Sequence, residues 1–313
     1  MRHTVCIGIP VKNEINNLEL LKDQLSNLIN NPKFRNIDFQ VFINDNMSSD
    51  GSSEFLDSWQ TSDSRVRVFL LKQPLEFQGT IKDLMSKSSS DAFALVQSDL
   101  QDPIIILEEL ISTWLKNPEY IVAGRITSRK DFFFTNLIRN LFYWLLSSAS
   151  GKNYPSGFQD FYVLPKYVYS QVAELSNSGL FIRGFLNFYF TKIIFIDYKR
   201  HKRHSGKSNF KFNSMYDLAL DGLLLYGKKF IRILSLLSFL IFSLSVIVIL
   251  IILTMSVLGV DYGVRGWASI VLGISILTSI LGMLAGIILE YLIRIHAGLN
   301  LVRPSTLNSQ DNS

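Results

Sequence analysis

One cysteine, Cys6, in 313 residues leaves no partner for an internal disulfide, so nothing in the chain calls for an oxidising compartment. Histidine is nearly as scarce. His3, His201, His204 and His296 show no zinc-type spacing with acids or with the cysteine, and a catalytic zinc site is not expected. The first apolar run, residues 5–9, gives way to Lys12, Asn13 and Glu14 and is too brief for the core of a signal peptide. Basic residues outnumber acidic ones, 31 against 26, for a formal charge of +5. No nucleic-acid-binding motif accompanies the excess, so no nucleic-acid partner is expected. The surplus gathers between Arg125 and Arg232, which suits a phosphate-bearing ligand or an anionic membrane surface.

Charge itself is missing from two long stretches. Residues 233–260 hold no charged side chain over 28 positions, and residues 266–289 none over 24. Each exceeds the roughly 20 residues that span a bilayer as a helix, so the pair reads as a transmembrane hairpin joined by the short turn 261–265. Lys228, Lys229 and Arg232 precede it, and Arg294 and Arg303 follow. The positive-inside rule then puts both outer ends, and the domain before them, in the cytoplasm, with the turn on the far side. The polar tail 308–313 is expected to be disordered.

Ahead of the hairpin, strand-like runs at 4–11, 39–43, 66–71, 93–96 and 120–123 alternate with helical patterns at 13–30, around Phe55, Leu56 and Trp59, at 82–88 after a loop through Gly79, and at 104–115. That alternation predicts an α/β domain with a Rossmann-like, mostly parallel sheet covered on both faces. An aromatic-dense helix is expected over 132–148, either in the membrane interface or in the core of the soluble domain. The expected organisation is a cytoplasmic domain over 1–212, a juxtamembrane helix over 213–232, the hairpin over 233–296 and a cytoplasmic tail over 297–313.

The chemistry concentrates in residues 94–103, ALVQSDLQDP. An apolar strand there stops at Gln97, Asp99, Gln101 and Asp102, and the carboxyl ends of strands in a parallel sheet face the binding crevice. Asp99 offers a hard oxygen to Mg²⁺ or Mn²⁺, which take one or two protein carboxylates plus the oxygens of a bound phosphate. Asp102 with Pro103 is equally readable as the cap of the next helix. A second polar turn, DNMSSDGS over 45–52, can accept from a base or ribose hydroxyl through Asp45, or can simply shape a turn. The basic run 199–204 lies ahead of the hairpin, where it can hold an anionic lipid head.

Taken together these segments resemble a family 2 glycosyltransferase of the GT-A fold, in the branch that acts on polyprenyl phosphates. The likeness runs from Ile9-Pro10-Val11-Lys12-Asn13-Glu14 through the turn at Asp45, Asp99-Leu100-Gln101-Asp102-Pro103, Gly124-Arg125, Gln159-Asp160-Phe161, Arg183-Gly184 and Arg203-His204-Ser205-Gly206-Lys207-Ser208 to Glu290-Tyr291 and Arg303-Pro304. It implies inverting transfer of one sugar, a hexose such as glucose, from a nucleotide-sugar, UDP-linked, to a membrane polyprenyl phosphate such as undecaprenyl phosphate. It also implies a multi-pass protein of the bacterial inner membrane serving O-antigen or surface-polysaccharide modification. A homo-oligomer is implied as well, with a flippase and a second glycosyltransferase downstream.

By the same resemblance Pro10, Glu14, Asp45, Gln97 and Asp99 contact the nucleotide-sugar, and Asp99 and Gln101 hold Mg²⁺ or Mn²⁺. Arg125, Arg200, Arg203, Ser205 and Ser208 hold phosphate or lipid head groups, and Asp99, Asp160 and Arg203 are catalytic, Asp160 lying near the acceptor. One departure stands out: the family's acidic motif usually reads Asp-x-Asp, and here its first position is Gln97, which weakens the metal site by one carboxylate. An acceptor phosphate has its second pKa near 6 and is already largely ionised, so Asp160 is better suited to orienting than to base catalysis. Two other readings compete. One is a membrane-anchored binding scaffold whose site has decayed at Gln97. The other is a processive polysaccharide synthase, whose Gln-x-x-Arg-Trp motif and additional membrane spans this chain does not have.

Overall fold

A computed structural model describes residues 2–127, 155, 157–175, 181–201, 228–259 and 266–299. Its elements in chain order are β1 (His3–Val11), α1 (Ile15–Ile29), a 3-10 turn (Pro32–Phe34), β2 (Ile37–Asp45), α2 (Ser52–Ser62), β3 (Val66–Leu70), α3 (Phe77–Lys87), β4 (Ala92–Leu95), α4 (Ile104–Lys116), β5 (Ile121–Ile126), β6 (Phe158–Pro165), α5 (Lys166–Glu174), α6 (Ile182–Tyr189), β7 (Ile193–Tyr198), α7 (Lys228–Val257) and α8 (Trp267–Leu299). The α/β elements make one unit, and α7 with α8 belongs to a second.

Seven strands form one sheet in the order β3-β2-β1-β4-β6-β5-β7. All its pairings are parallel except those of β6, which runs against both β4 and β5. Central strands of such a sheet are buried on both faces and read as apolar runs rather than alternations. β1 shows this, with Val5 to Val11 buried throughout. Leu18, Leu21, Leu25 and Leu28 recur at helical spacing in α1 and are buried against the sheet. Trp114, Leu107 and Leu110 do the same from α4.

Two boundaries differ from the sequence expectation. The third helix begins at Phe77 rather than near 82, and it includes Gly79. Its first turn is held by two tertiary bonds, linking Gln78 to Asp160 and to the backbone of Ile182, and by a local one, the Thr80 hydroxyl donating to Glu76 O. β5 runs on from 123 to Ile126, so Gly124 and Arg125 lie inside a strand, paired in register with β7. Residues 158–198, unassigned from the sequence, supply β6, α5, α6 and β7. The expected aromatic helix 132–148, residues 213–227 of the juxtamembrane segment, the turn 261–265 and the tail 308–313 lie outside the described residues.

In the second unit, Arg232–Val257 and Trp267–Leu292 are each 26 residues with mean hydropathy 3.2 and 2.3, long and apolar enough to cross a membrane. Large apolar side chains such as Ile233, Leu250 and Ile270 point outward at 57–65% exposure, unlike those of a soluble core helix. The helices meet where side chains are small. A Cβ on Gly282 would lie 3.2 Å from the backbone of Phe242 and Ser238, and Ser235, Ser245, Ser275 and Ser279 are buried. Close approach through small residues is how helices pack in lipid, where no hydrophobic force drives them together.

Candidate active site

The carboxyl ends of β1, β2, β4, β5 and β7 and the amino end of β6 share one edge of the sheet. The turns after β1 and β2 are laced together there. Asn13 takes a positive φ of 57°, which asparagine tolerates better than most residues. Its N–H donates to Ser48 Oγ at 2.9 Å, and its Oδ1 accepts from the Ser49 N–H at 2.7 Å. Asp50 Oδ2 accepts from the first helical amide of α1, that of Ile15, at 3.1 Å, and Ser52 Oγ accepts from the Glu14 N–H. Partial burial works against the Asp50 carboxylate, but the hydrogen bonds from Ser52 and Ile15 prevail and hold it below the usual range. The amino end of α1 is therefore capped from another loop.

Asp45, expected at the nucleoside, is buried at the end of β2. Its Oδ1 accepts from the Ser48 N–H and its Oδ2 from the Ser53 hydroxyl. Those bonds shape the turn and leave further lone pairs on a carboxylate. Pro10, at the end of β1, accepts through its carbonyl from Ser98 Oγ at 3.1 Å, which ties the end of β1 to the acidic turn. Glu14 stands at the N-cap position of α1 and accepts from Asn17.

In the acidic turn, Asp99 is 5% exposed and its Oδ1 accepts from the Gln101 N–H; Leu100 between them has φ 55°. Asp102 is not the cap of α4. Pro103 holds that position, with no side-chain cap bond, and the Asp102 side chain instead meets two residues almost a hundred positions away. Tyr198 donates to Oδ1, and Arg200 Nη2 donates to Oδ2 at 3.1 Å. Arg200 Nε lies 3.0 Å from Oδ1 without the alignment of a hydrogen bond. Burial pushes the Asp102 carboxyl above its ordinary value, opposed by Arg200 and Tyr198 and reinforced by the nearby Asp99. The same Nη2 donates to Gln97 Oε1 at 3.2 Å, while Gln97 Nε2 makes a long 3.5 Å donation to the carbonyl of Asp160. The backbone of His201 closes the turn by donating to Gln101 O.

Asp160 lies on the opposite sheet face from Tyr198, since the Phe161 ring, one residue on, packs against Tyr198. Its Oδ2 accepts from Gln78 at 3.3 Å and faces Arg183 Nε at 3.2 Å. Arg183 is held in turn by Phe158 O. Asp160 Oδ1 is buried and makes no hydrogen bond among the described residues. An unsatisfied buried carboxylate oxygen is costly, so Oδ1 stands out among the polar atoms at this end of the sheet. Tyr162, two residues deeper on that face, is fully buried, and burial drives its phenol well above the ordinary value.

Arg125, expected to hold phosphate, lies on β5. It forms a bidentate pair with Asp197 on β7, at 2.6 and 2.9 Å, and lies over the Phe195 ring. Arg203, Ser205 and Ser208 lie outside the described residues. Sequence reasoning missed the joining of Asp102 to Tyr198 and of Gln78 to Asp160. No local pattern marks either pairing, because each links segments more than eighty residues apart. Among the described residues no three His, Cys, Asp or Glu side chains gather as a metal cage.

The sequence model of Glycosyl transferase family 2 matches residues 6–177 of the chain, the span that contains Pro10, Asp45, the acidic turn and Asp160. The chain is a member of this family. As a family 2 glycosyltransferase it is similar to an uncharacterized glycosyltransferase, YkcC, of Bacillus subtilis, 26% identical over 82% of this chain and 79% of that one. It is also similar to a bactoprenol glucosyl transferase of Shigella phage SfV, 26% identical over 82% and 83%. Among solved structures, mannosyl-3-phosphoglycerate synthase from Rubrobacter xylanophilus superposes with a TM-score of 0.50 at 15% identity, covering 70% of this chain and 71% of that one. The last likeness concerns the fold alone.

Proposed function

We propose that this glycosyltransferase moves a single hexose, glucose in the first instance, from a UDP-linked donor to a membrane polyprenyl phosphate such as undecaprenyl phosphate, with inversion. The observation that carries the reading is the meeting, at one sheet edge, of the acidic turn with an Asp160 whose buried Oδ1 has no hydrogen-bond partner among the described residues. The two apolar helices and the likeness to bactoprenol glucosyl transferases support the lipid acceptor.

The reaction is a displacement at the anomeric carbon. An acceptor phosphate oxygen forms the new bond to C1, the bond from C1 to the donor diphosphate breaks, and its electron pair leaves with the nucleoside diphosphate. Positive charge builds on the sugar and negative charge on the leaving group, so fixed countercharges at the diphosphate lower the barrier. With a second pKa near 6 the acceptor is largely ionised at neutral pH and no base is required. Asp160 then orients a sugar hydroxyl through Oδ1 while Gln78 and Arg183 fix Oδ2.

The donor set suits a divalent ion brought in with the nucleotide, because Mg²⁺ is commonly held by one or two carboxylates and substrate phosphates. Asp99, with Gln101 beside it, would hold Mg²⁺ or Mn²⁺, which when bound neutralises charge on the leaving diphosphate. The segment carrying Arg203, Ser205 and Ser208 would hold the acceptor head, the hairpin would anchor the enzyme, and the α/β unit would lie in the cytoplasm. Incubating the full chain in membranes with undecaprenyl phosphate and radiolabelled UDP-glucose should move label into butanol-extractable lipid carrying one sugar. No label from any of a panel of nucleotide-sugars, or a product of many sugars, would reject the reading.

A further inference from the structure

Arg200, expected from the resemblance among the residues that hold phosphate or lipid head groups, meets the acidic turn, and its contacts there say which phosphate it serves. Arg200 follows β7 directly, its side chain is 20% exposed, and Asp102, itself wholly buried, faces its guanidinium. Tyr198 braces Asp102 from the other oxygen. The Tyr198 ring has its place only because residue 124 is glycine: a Cβ there would lie 2.8 Å from that ring. So held, the guanidinium reaches Gln97 Oε1 at 3.2 Å.

Gln97 is used at both ends, accepting from Arg200 and donating to the Asp160 carbonyl. A carboxylate at this position could accept from Arg200 but would set an oxygen against the carbonyl oxygen of Asp160. Position 97 is thus shaped for a carboxamide whose oxygen is committed to a guanidinium, not for a metal ligand. Arg200 also keeps donors in reserve. Nη2 serves Gln97 and Asp102 and the buried Nε faces Asp102 Oδ1, whereas Nη1 makes no hydrogen bond among the described residues.

We propose that Arg200, set by Asp102 and Tyr198 and bridged through Gln97, binds a phosphate of the donor diphosphate, so that nucleoside diphosphate stays bound without a divalent metal. The inference rests on the glycosyltransfer reading above. A planar guanidinium with donors to spare matches phosphate oxygens, and a fixed cation beside Asp99 stands where the leaving group's charge develops. The same chemistry could serve the phosphate of the lipid acceptor. The position of Arg200 against the acidic turn, bonded to Gln97 and Asp102 on either side of Asp99, favours the donor.

The test is calorimetric binding to the full chain in detergent, with UDP and GDP in one arm and undecaprenyl phosphate in the other, each in excess EDTA and again in Mn²⁺. Wild type should bind a nucleoside diphosphate in EDTA. Arg200→Met should weaken that binding by about tenfold or more, the scale of a lost charge-assisted bond, while undecaprenyl phosphate binding changes less than about twofold. Tyr198→Phe, which frees Asp102 to shift, should fall between. Arg200→Met strands a buried carboxylate and can destabilise the fold, so Arg200→Met combined with Asp102→Asn removes that charge and gives a second reading of the same loss. Unchanged nucleotide affinity in either Arg200 variant, a loss confined to the lipid arm, or wild-type binding that vanishes in EDTA would overturn the inference. In those cases transfer to lipid in Mn²⁺ can persist and the glycosyltransfer reading stands. Absence of nucleotide binding with Mn²⁺ as well would bring down both.

Discussion

Asp99 and Asp160 are both buried carboxylates at the same sheet edge, and their surroundings assign them different consequences. Asp99→Ala removes the carboxylate proposed to act at the leaving diphosphate, and initial rates of sugar transfer should fall by about 10²-fold or more, as when one preorganised charge contact is lost. Turnover near that of wild type would strike Asp99 from the site. Asp160→Asn keeps an oxygen for the sugar hydroxyl and should retain part of the activity, with a rate flat above about pH 7, since the acceptor has titrated by then. A dead Asp160→Asn enzyme with intact donor and acceptor binding would make Asp160 the base instead. Asp50 gives a stability effect with a definite sign. Its carboxylate is held below the ordinary range in the folded state, so its contribution is present above the unfolded value of about 3.9 and is lost as pH falls through the lower folded value. The melting temperature of Asp50→Asn should therefore lie slightly below wild type at pH 6, by the equivalent of about 0.5 kcal/mol once solvent screening at this exposed site is allowed for, and the two should converge toward pH 2. A constant gap would assign the effect to packing.

Among the elements, β5 and β7 decide how the acidic turn is braced. β5 runs far enough for Gly124 to lie beneath the Tyr198 ring, and parallel pairing places Arg125 beside Asp197 and Ile126 beside Tyr198. Gly124→Ala should push the ring off Asp102, costing about 1–3 kcal/mol as overpacking usually does and lowering transfer through the turn it supports. A fully active Gly124→Ala of unchanged melting temperature would show that the Tyr198 contact is dispensable. The third helix makes the complementary point. Gly79 reads as a loop residue because glycine disfavours helix by about 1 kcal/mol relative to alanine, but the first turn it occupies is pinned by Gln78 to Asp160 and to Ile182. Propensity is a local quantity and these bonds are not.

For the whole molecule, the basic flanks of the hairpin lead to a topology that reporters can measure. A reporter fused after Asn308 should be active in the cytoplasm, and one inserted in the turn 261–265 should be active on the exported side. An exported C-terminus would separate the site from cytoplasmic nucleotide-sugars and overturn the orientation. The alternating α/β plan, the two apolar helices and the placing of polar turns at the ends of β1, β2 and β4 were all legible in the sequence, because each depends on periodicity, run length or turn composition within a few tens of residues. The antiparallel insertion of β6 was not, since Phe158 to Pro165 is buried at every position and carries no alternation to mark its direction. Nor could the sequence choose between cap and ion pair for Asp102, or find the open oxygen of Asp160. Those were decided by contacts with Tyr198, Arg200, Gln78 and Arg183 across separations that only the closed sheet brings together, where removal from water makes each unpaired charge expensive and so selects its partner.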